Sequence, residues 1–289
     1  MPRKTAATRK KAASWNPIDS LTPQDIGFLT TLARYRVVTK RVFEEDYGPH
    51  SKDHFSERAR TLVHFKYVER KASHPIPAGG KAPAFYWLTP KGAKAASIQM
   101  GEEVTAPRLR QTGQWQHREG IARVGVAVRK LALGYGGELN RFVLESDAEE
   151  KKGFKRATTL PYGNSGKALA PDALIGITLP DGQLRPLAVE FENGANRDNP
   201  QNVLSKRDAY LEVLTSGGIQ GFFGTSKAPR VLIVCATETL MRKTIEGWRG
   251  YKGETGWPIY LQTLDALASD PMANWFRIDR PACPLFATQ

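Results

Sequence analysis

The sequence predicts an α/β protein in two parts: a small helical unit closed by a hairpin, then a larger layered unit around a mixed sheet. Three observations carry this expectation. Apolar residues recur at helical spacing through residues 23–65 and give way to two short strand-like runs. Beyond about residue 115, helical stretches alternate with strands such as "RVLIVCAT", the order that produces α/β layers with partly parallel pairing. The 289 residues are long for one compact domain and comfortable for two, and 40% hydrophobic with 25% charged residues is ordinary globular composition.

Residues 1–19, opening "MPRKTAATRKKAASW", form an expected disordered basic tail that either follows phosphates or only keeps the chain soluble. It has no apolar centre of the kind a signal peptide needs. The unit over 20–100 opens with Thr22 as a helix N-cap and Pro23 at the first helical position. Ile26, Leu29 and Ala33 form its inward stripe, widened by Phe28 and Leu32. A short second helix, "TKRVFEEDY", precedes Gly48-Pro49. The third runs from about Ser51 to Phe65, with Phe55, Ala59, Leu62 and Val63 inward and Lys52, Arg58 and Arg60 outward. "YVERKA" and "AFYWLT" read as strands around the loop "SHPIPAGGKAP", which carries Lys81, and "TPKGAKAA" begins a fourth helix.

Three helices, a hairpin and a basic loop describe a winged helix-turn-helix, whose third helix enters the major groove while the loop follows the backbone. The charge agrees. Residues 1–100 hold 18 Lys and Arg against 8 Asp and Glu; residues 101–289 hold 24 against 21. Double-stranded DNA is the expected partner, with Lys52, His54, Arg58, Arg60 and Lys81 as its contacts. A winged helix that binds only protein is the alternative. His50 and His54 lack a third ligand and read as groove-facing or capping residues.

Residues 101–113 form a polar connector, and 114–289 the second unit. A long helix from Trp115 to Leu133 leads to the strand "ELNRFVLE", ending in Glu145. Residues 146–169 are polar and irregular, as expected of a mobile loop over a site or a DNA-contacting segment. Within them "GNSGKA" lacks the first glycine of a phosphate-binding loop and has Ala168 where Ser or Thr would hold magnesium. A helix over Pro200–Leu214, the strand "RVLIVCAT", the helix "ETLMRKTIEGWRG", the strand "PIYLQTL" and a short helix "LDALASDP" complete the alternation. Cys235 and Cys283 suggest neither zinc nor a disulfide framework. With no apolar run of bilayer length, the expectation is a reducing cytoplasm and no membrane partner.

Residues 170–194, "APDALIGITLPDGQLRPLAVEFENG", carry the chemistry. Pro180, Asp181 and Gly182 predict a three-residue turn with Gly182 left-handed. That register places Asp172 opposite Glu190, and the period of two adds Glu192 to their face. Ile175, Ile177, Leu187, Val189 and Phe191 fall on the other face, the expected core of a half-buried hairpin. Two carboxylates with β-carbons about 5 Å apart repel by about 3 kcal/mol at an effective dielectric of about 20. A divalent cation held by Asp172, Glu190 and Glu192 relieves this, and oxygen ligands favour Mg²⁺ or Mn²⁺. Acidic decoration of a solvated hairpin is the plainer alternative. Lys206, on the next helix, is placed to stabilise charge on a phosphate, Tyr210 shares its helical face, and Glu145 is a further ligand or a base for water.

Asp172 after Pro171, followed by "VEFE", resembles the PD-(D/E)XK nuclease motif, with one departure: Glu192 holds the usual lysine position, so that role passes to Lys206. Taken in order, "YWLTPKGAKA", His117 opening a helix, "FVLE", "PDALI", "AVEFENG" and "KRDAY" resemble the bacterial replication-relaxation family, which includes MobC-type plasmid relaxases. The likeness spans about residues 20–240. It implies a restriction-endonuclease-like second domain and a sequence-specific, divalent-metal-dependent DNA-nicking protein acting at a plasmid origin or transfer site. Asp172, Glu190, Glu192 and Lys206 would form the site, with Glu145 weaker. A second copy of the chain and other mobilization or replication proteins are the further partners implied. The nucleophile is water or a tyrosine, Tyr162 and Tyr210 being best placed. The rival function is a non-catalytic DNA-binding regulator of plasmid replication or transfer; a restriction or repair endonuclease is a third.

Overall fold

The computed structural model describes residues 21–48, 52–72, 83–107, 115–147, 156–163, 167–194, 200–249, 257–278 and 281–286. The basic tail and the loop carrying Lys81 lie outside them. In the amino-terminal part, helices α1 (Pro23–Tyr35), α2 (Lys40–Tyr47) and α3 (Lys52–His64) precede an antiparallel pair, β1 (Val68–Ala72) and β2 (Ala84–Leu88), and then α4 (Pro90–Met100). Short polar side chains start the helices. Thr22 forms a capping box with Asp25, Thr39 caps α2, and Thr89 caps α4 ahead of Pro90. Inside, Phe28 meets Phe43 and Phe55 with ring centroids 5.0 and 5.3 Å away, and Tyr86 closes the cluster edge-on.

The second part is built on a six-stranded sheet ordered β10-β9-β8-β7-β6-β3. These strands are β3 (Glu138–Leu144), β6 (Ala173–Thr178), β7 (Leu184–Glu192), β8 (Arg230–Cys235), β9 (Ile259–Thr263) and β10 (Phe276–Arg277). β7, β8 and β9 run parallel, and the remaining pairings are antiparallel, so the chain is a mixed α/β protein with a mixed central sheet. Helices α5 (Trp115–Gly134) and α9 (Leu264–Ser269) cover one face; α6 (Pro200–Thr215), α7 (Gly218–Phe223) and α8 (Glu238–Arg249) cover the other. Neither α7 nor β10 was expected from the sequence. The segment read as one irregular loop contains a small antiparallel hairpin, β4 (Leu160–Tyr162) with β5 (Lys167–Leu169). Among the described residues no helix is long and apolar enough to cross a membrane.

The β6–β7 turn forms as its residues dictate. Gly182 has φ +70°, and its N–H donates to the Leu179 carbonyl at 2.9 Å. Pairing runs from Thr178–Leu184 to Ala173–Val189, the expected register, and ends there, with Asp172 in the bend just before β6. The expectation of a half-buried hairpin is corrected, however. As internal strands of the sheet, β6 and β7 are covered on both sides: Ile175, Ile177, Leu187, Val189 and Phe191 meet the α5 layer, while Leu174 and Ala188 meet the α6 layer.

Helix α5 joins the two parts because its middle, Gly120 to Val128, is buried on every side. Ala122 and Val126 enter the amino-terminal core, while Val124, Ala127, Val128 and Leu131 pack on the sheet. Close approach on both sides requires glycine. A β-carbon on Gly120 would sit 2.0 Å from the Phe191 ring, and one on Gly125 2.8 Å from Phe142 and 2.9 Å from Tyr35. Ion pairs from Arg123 to Glu45 and Arg129 to Asp46, both 2.9 Å, fasten α2 to α5.

Candidate active site

The open end of the β6–β7 hairpin gathers the acids and their counter-charges. Asp172 lies in the bend just before β6 and is 7% exposed; Glu190, on β7, is 2% exposed. Each is held from a different layer. The Phe191 N–H donates to Asp172 Oδ2 at 2.8 Å, and His117 Nε2, in the first turn of α5, stands 3.1 Å from Asp172 Oδ1. From α6, Lys206 Nζ donates to Glu190 Oε2 and the Tyr210 hydroxyl to Glu190 Oε1, both at 2.8 Å. Lys206 also stands 3.6 Å from Glu192 Oε1.

These contacts drive the two carboxyls apart in acidity. Burial, reinforced by the charge of Asp172, pushes Glu190 up to about 8 against the pull of Lys206 and Tyr210. Burial also acts to raise Asp172, but the hydrogen bond and charge of His117, with Lys206 and the Phe191 amide, outweigh it and hold Asp172 below its ordinary value. For His117, burial opposes protonation and Asp172 more than restores it, so its pKa is raised. Burial likewise opposes the Lys206 charge, and Glu190, Asp172 and Glu192 together raise it. A pair of titratable groups pushed apart is the usual preparation for acid–base work.

Tyr210 is corrected as a nucleophile. It is 0% exposed, its hydroxyl is committed to Glu190, and burial next to that carboxylate raises its pKa well above the usual phenol. It positions Glu190 instead. Glu145 does not extend β3 but opens a 3₁₀ turn (Glu145–Asp147), where it pairs with Arg156; its N–H donates to the Asp172 carbonyl at 3.1 Å. Burial raises the Glu145 pKa. Of the expected DNA contacts, Arg60 is exposed on α3. Arg58 turns back to pair with Asp25 at the start of α1, 3.5 Å away, contrary to its expected outward face. Lys52 and His54 belong to α3, but their side chains, like Lys81, lie outside the described residues.

Among the described residues, no three His, Cys, Asp or Glu side chains are gathered to hold a metal ion, so the expected trio of Asp172, Glu190 and Glu192 is not assembled. The adjacent pair nevertheless fits the donor requirement of Mg²⁺ or Mn²⁺. Such ions take hard oxygen ligands and commonly use only one or two carboxylates, with water and phosphate oxygens completing the shell. Asp172 and Glu190 would hold the ion, with Glu192 next along the same strand.

His117 was absent from the residues the sequence proposed for chemistry. It entered only as one feature of the resemblance, with no role assigned, because its partner lies 55 positions away and meets it only once α5 is docked. Docking also creates a cavity of about 260 Å³ between the amino-terminal part and the sheet, lined in part by Arg36, His117, Arg118, Glu145, Arg156 and Asp172. Comparison with family models, curated proteins and solved structures finds no match to this chain.

Proposed function

We propose that this chain binds duplex DNA through a winged helix-turn-helix over residues 20–100 and nicks it at a PD-(D/E)XK-like site in the second domain. The observation that carries the reading is Glu190: a buried carboxylate beside Asp172, bonded to an ammonium that is 40% exposed. A merely structural pair gains little from keeping its cation at the surface. A phosphodiester gains much, because Lys206 can meet charge developing on phosphate. Arg60, Lys66, Arg70, Lys71, Lys91 and Lys94 are all exposed in the amino-terminal part, as phosphate-following cations must be.

In this reading Asp172 remains ionised and Glu190 holds its proton up to about pH 8 unless a cation displaces it. A divalent ion, when bound, supplies positive charge to the phosphate and lowers the pKa of water. His117 fixes the orientation of Asp172, and Tyr210 that of Glu190. Water is the nucleophile of the proposal: Tyr210 is enclosed, and Tyr162 packs against the α6-side core. The resemblance to replication-relaxation proteins makes a plasmid or mobile-element origin its substrate.

The test is nicking of supercoiled plasmid carrying the DNA that flanks the chain's own gene, with Mg²⁺ or Mn²⁺, comparing wild type with Asp172→Ala and Lys206→Met. Nicked circles are expected from the wild type alone. One observation favours the rival: both oxygens of Asp172 and of Glu190 already have partners within the chain. If the wild type retards the plasmid in a gel but leaves it supercoiled, a non-catalytic DNA-binding regulator is the function.

A further inference from the structure

The cavity beside Asp172 has no role in the reading above. It measures about 260 Å³, and its walls come from both parts of the chain: Tyr35, Arg36 and Val37 where α1 ends, and Ile121, Leu144 and Ser146 opposite. At about 30 Å³ per water in the liquid, this is room for much more than one phosphate, yet it is smaller than the roughly 300–1,000 Å³ of drug-sized sites. A duplex cannot enter such a space. One unstacked nucleotide can.

The charges around the cavity form three internal pairs and one remainder. His117 meets Asp172, Arg156 meets Glu145, and Arg36 Nε meets Asp147 Oδ1 at 3.0 Å. Arg118, in the first turn of α5, has neither hydrogen bond nor ion pair among the described residues, and feels only the charge of a Glu145 that Arg156 already satisfies. A half-buried guanidinium at a helix N-terminus, with its fork of donors free, is a phosphate ligand in waiting. The rim is also strained: Arg36 holds φ 64° and ψ −46°, a left-handed backbone unusual for any residue but glycine. Such outliers persist where the surroundings over-determine them, commonly at ligand sites. Apolar Ile121 and Leu144 with Arg118 therefore combine a surface for a base and a donor for its phosphate.

We propose that this cavity receives one unpaired nucleotide of the DNA strand, its phosphate on Arg118 and its base against Ile121 and Leu144, next to the phosphodiester presented to Asp172. The inference rests on the DNA-nicking reading and deepens it: the strand entering the site is locally single, and extrusion of one nucleotide is part of selection.

Binding measured without metal separates this inference from cleavage, because a chain that does not cut can still take up a strand. The full chain is titrated in EDTA against a fluorescent oligothymidylate and, separately, a fluorescent duplex of equal length, with polarisation as readout. Arg118→Ala and Ser146→Trp, the latter an exposed rim position, are compared with wild type after thermal midpoints confirm folding. Arg118→Ala is expected to weaken single-strand binding about tenfold or more, the worth of a charged hydrogen bond, and Ser146→Trp to weaken it by filling the rim, while duplex binding stays unchanged in both. Thymidine monophosphate should compete with the oligonucleotide at concentrations where inorganic phosphate does not. Unchanged single-strand affinity in both variants overturns the proposal. So does equal competition by inorganic phosphate, which would leave Arg118 a simple anion contact.

Discussion

Replacing Lys206 with methionine isolates the charge balance on which the site depends. The substitution keeps most of the apolar stem and removes the ammonium that donates to Glu190 Oε2 at 2.8 Å. Breaking a buried ion pair from one side costs about 3–5 kcal/mol, but Lys206 is 40% exposed and water can partly replace it, which discounts that figure. Proton uptake sets the rest. Glu190 has its folded pKa raised to about 8 by burial and by Asp172, so the folded chain holds a proton that the unfolded chain has released above its ordinary carboxylate value. Stability from this group is therefore greatest at low pH, falls as pH rises, and levels off near pH 8 where folded Glu190 ionises against Lys206. Without Lys206 ionisation is postponed and the fall continues. At about pH 6.5 both proteins carry the proton and differ little through Glu190; at about pH 9.5, one and a half units above the wild-type value, the variant is lower by a further 2 kcal/mol or so. Urea unfolding at the two pH values measures this, and adding Glu190→Gln to Lys206→Met should remove the extra loss. An equal deficit at both pH values would refute the reasoning, since Glu190 would then keep a single protonation state across that range.

Three further outcomes follow from the same geometry. Tyr210→Phe leaves Glu190 Oε1 without its donor and should cost about 1–3 kcal/mol in urea unfolding, while denaturing gels should show no protein–DNA adduct dependent on Tyr210. His117 should titrate above its ordinary value by NMR, so that its contribution to stability is full below about pH 6.5 and is lost as pH rises through the raised value; Asp172→Asn should lower that titration. Gly120→Ala drives a methyl group to within 2.0 Å of the Phe191 ring and should cost about 1–3 kcal/mol, detectable as a lower thermal midpoint. A wild-type midpoint would mean that α5 can shift away from β7 without loss.

Local chemistry determined much of this protein before any packing is considered. Thr22, Thr39 and Thr89 mark helix starts because their side chains satisfy amides in the next turn. Pro180, Asp181 and Gly182 set the register, Ala173 against Val189, that brings Asp172 and Glu190 to the same end of the hairpin. Lys206 and Tyr210 reach Glu190 because they share a face of the following helix. What the tertiary structure decided is everything that depends on which layer covers the hairpin. The α6 layer encloses Glu190 and turns Tyr210 from a candidate nucleophile into a support for that carboxyl. The α5 layer brings His117 to Asp172 and leaves Arg118 facing a cavity shared by both parts of the chain. A turn is specified by neighbours in sequence. Docking of α5 is specified by contacts such as Gly120 with Phe191, whose complementarity exists only once the sheet has formed.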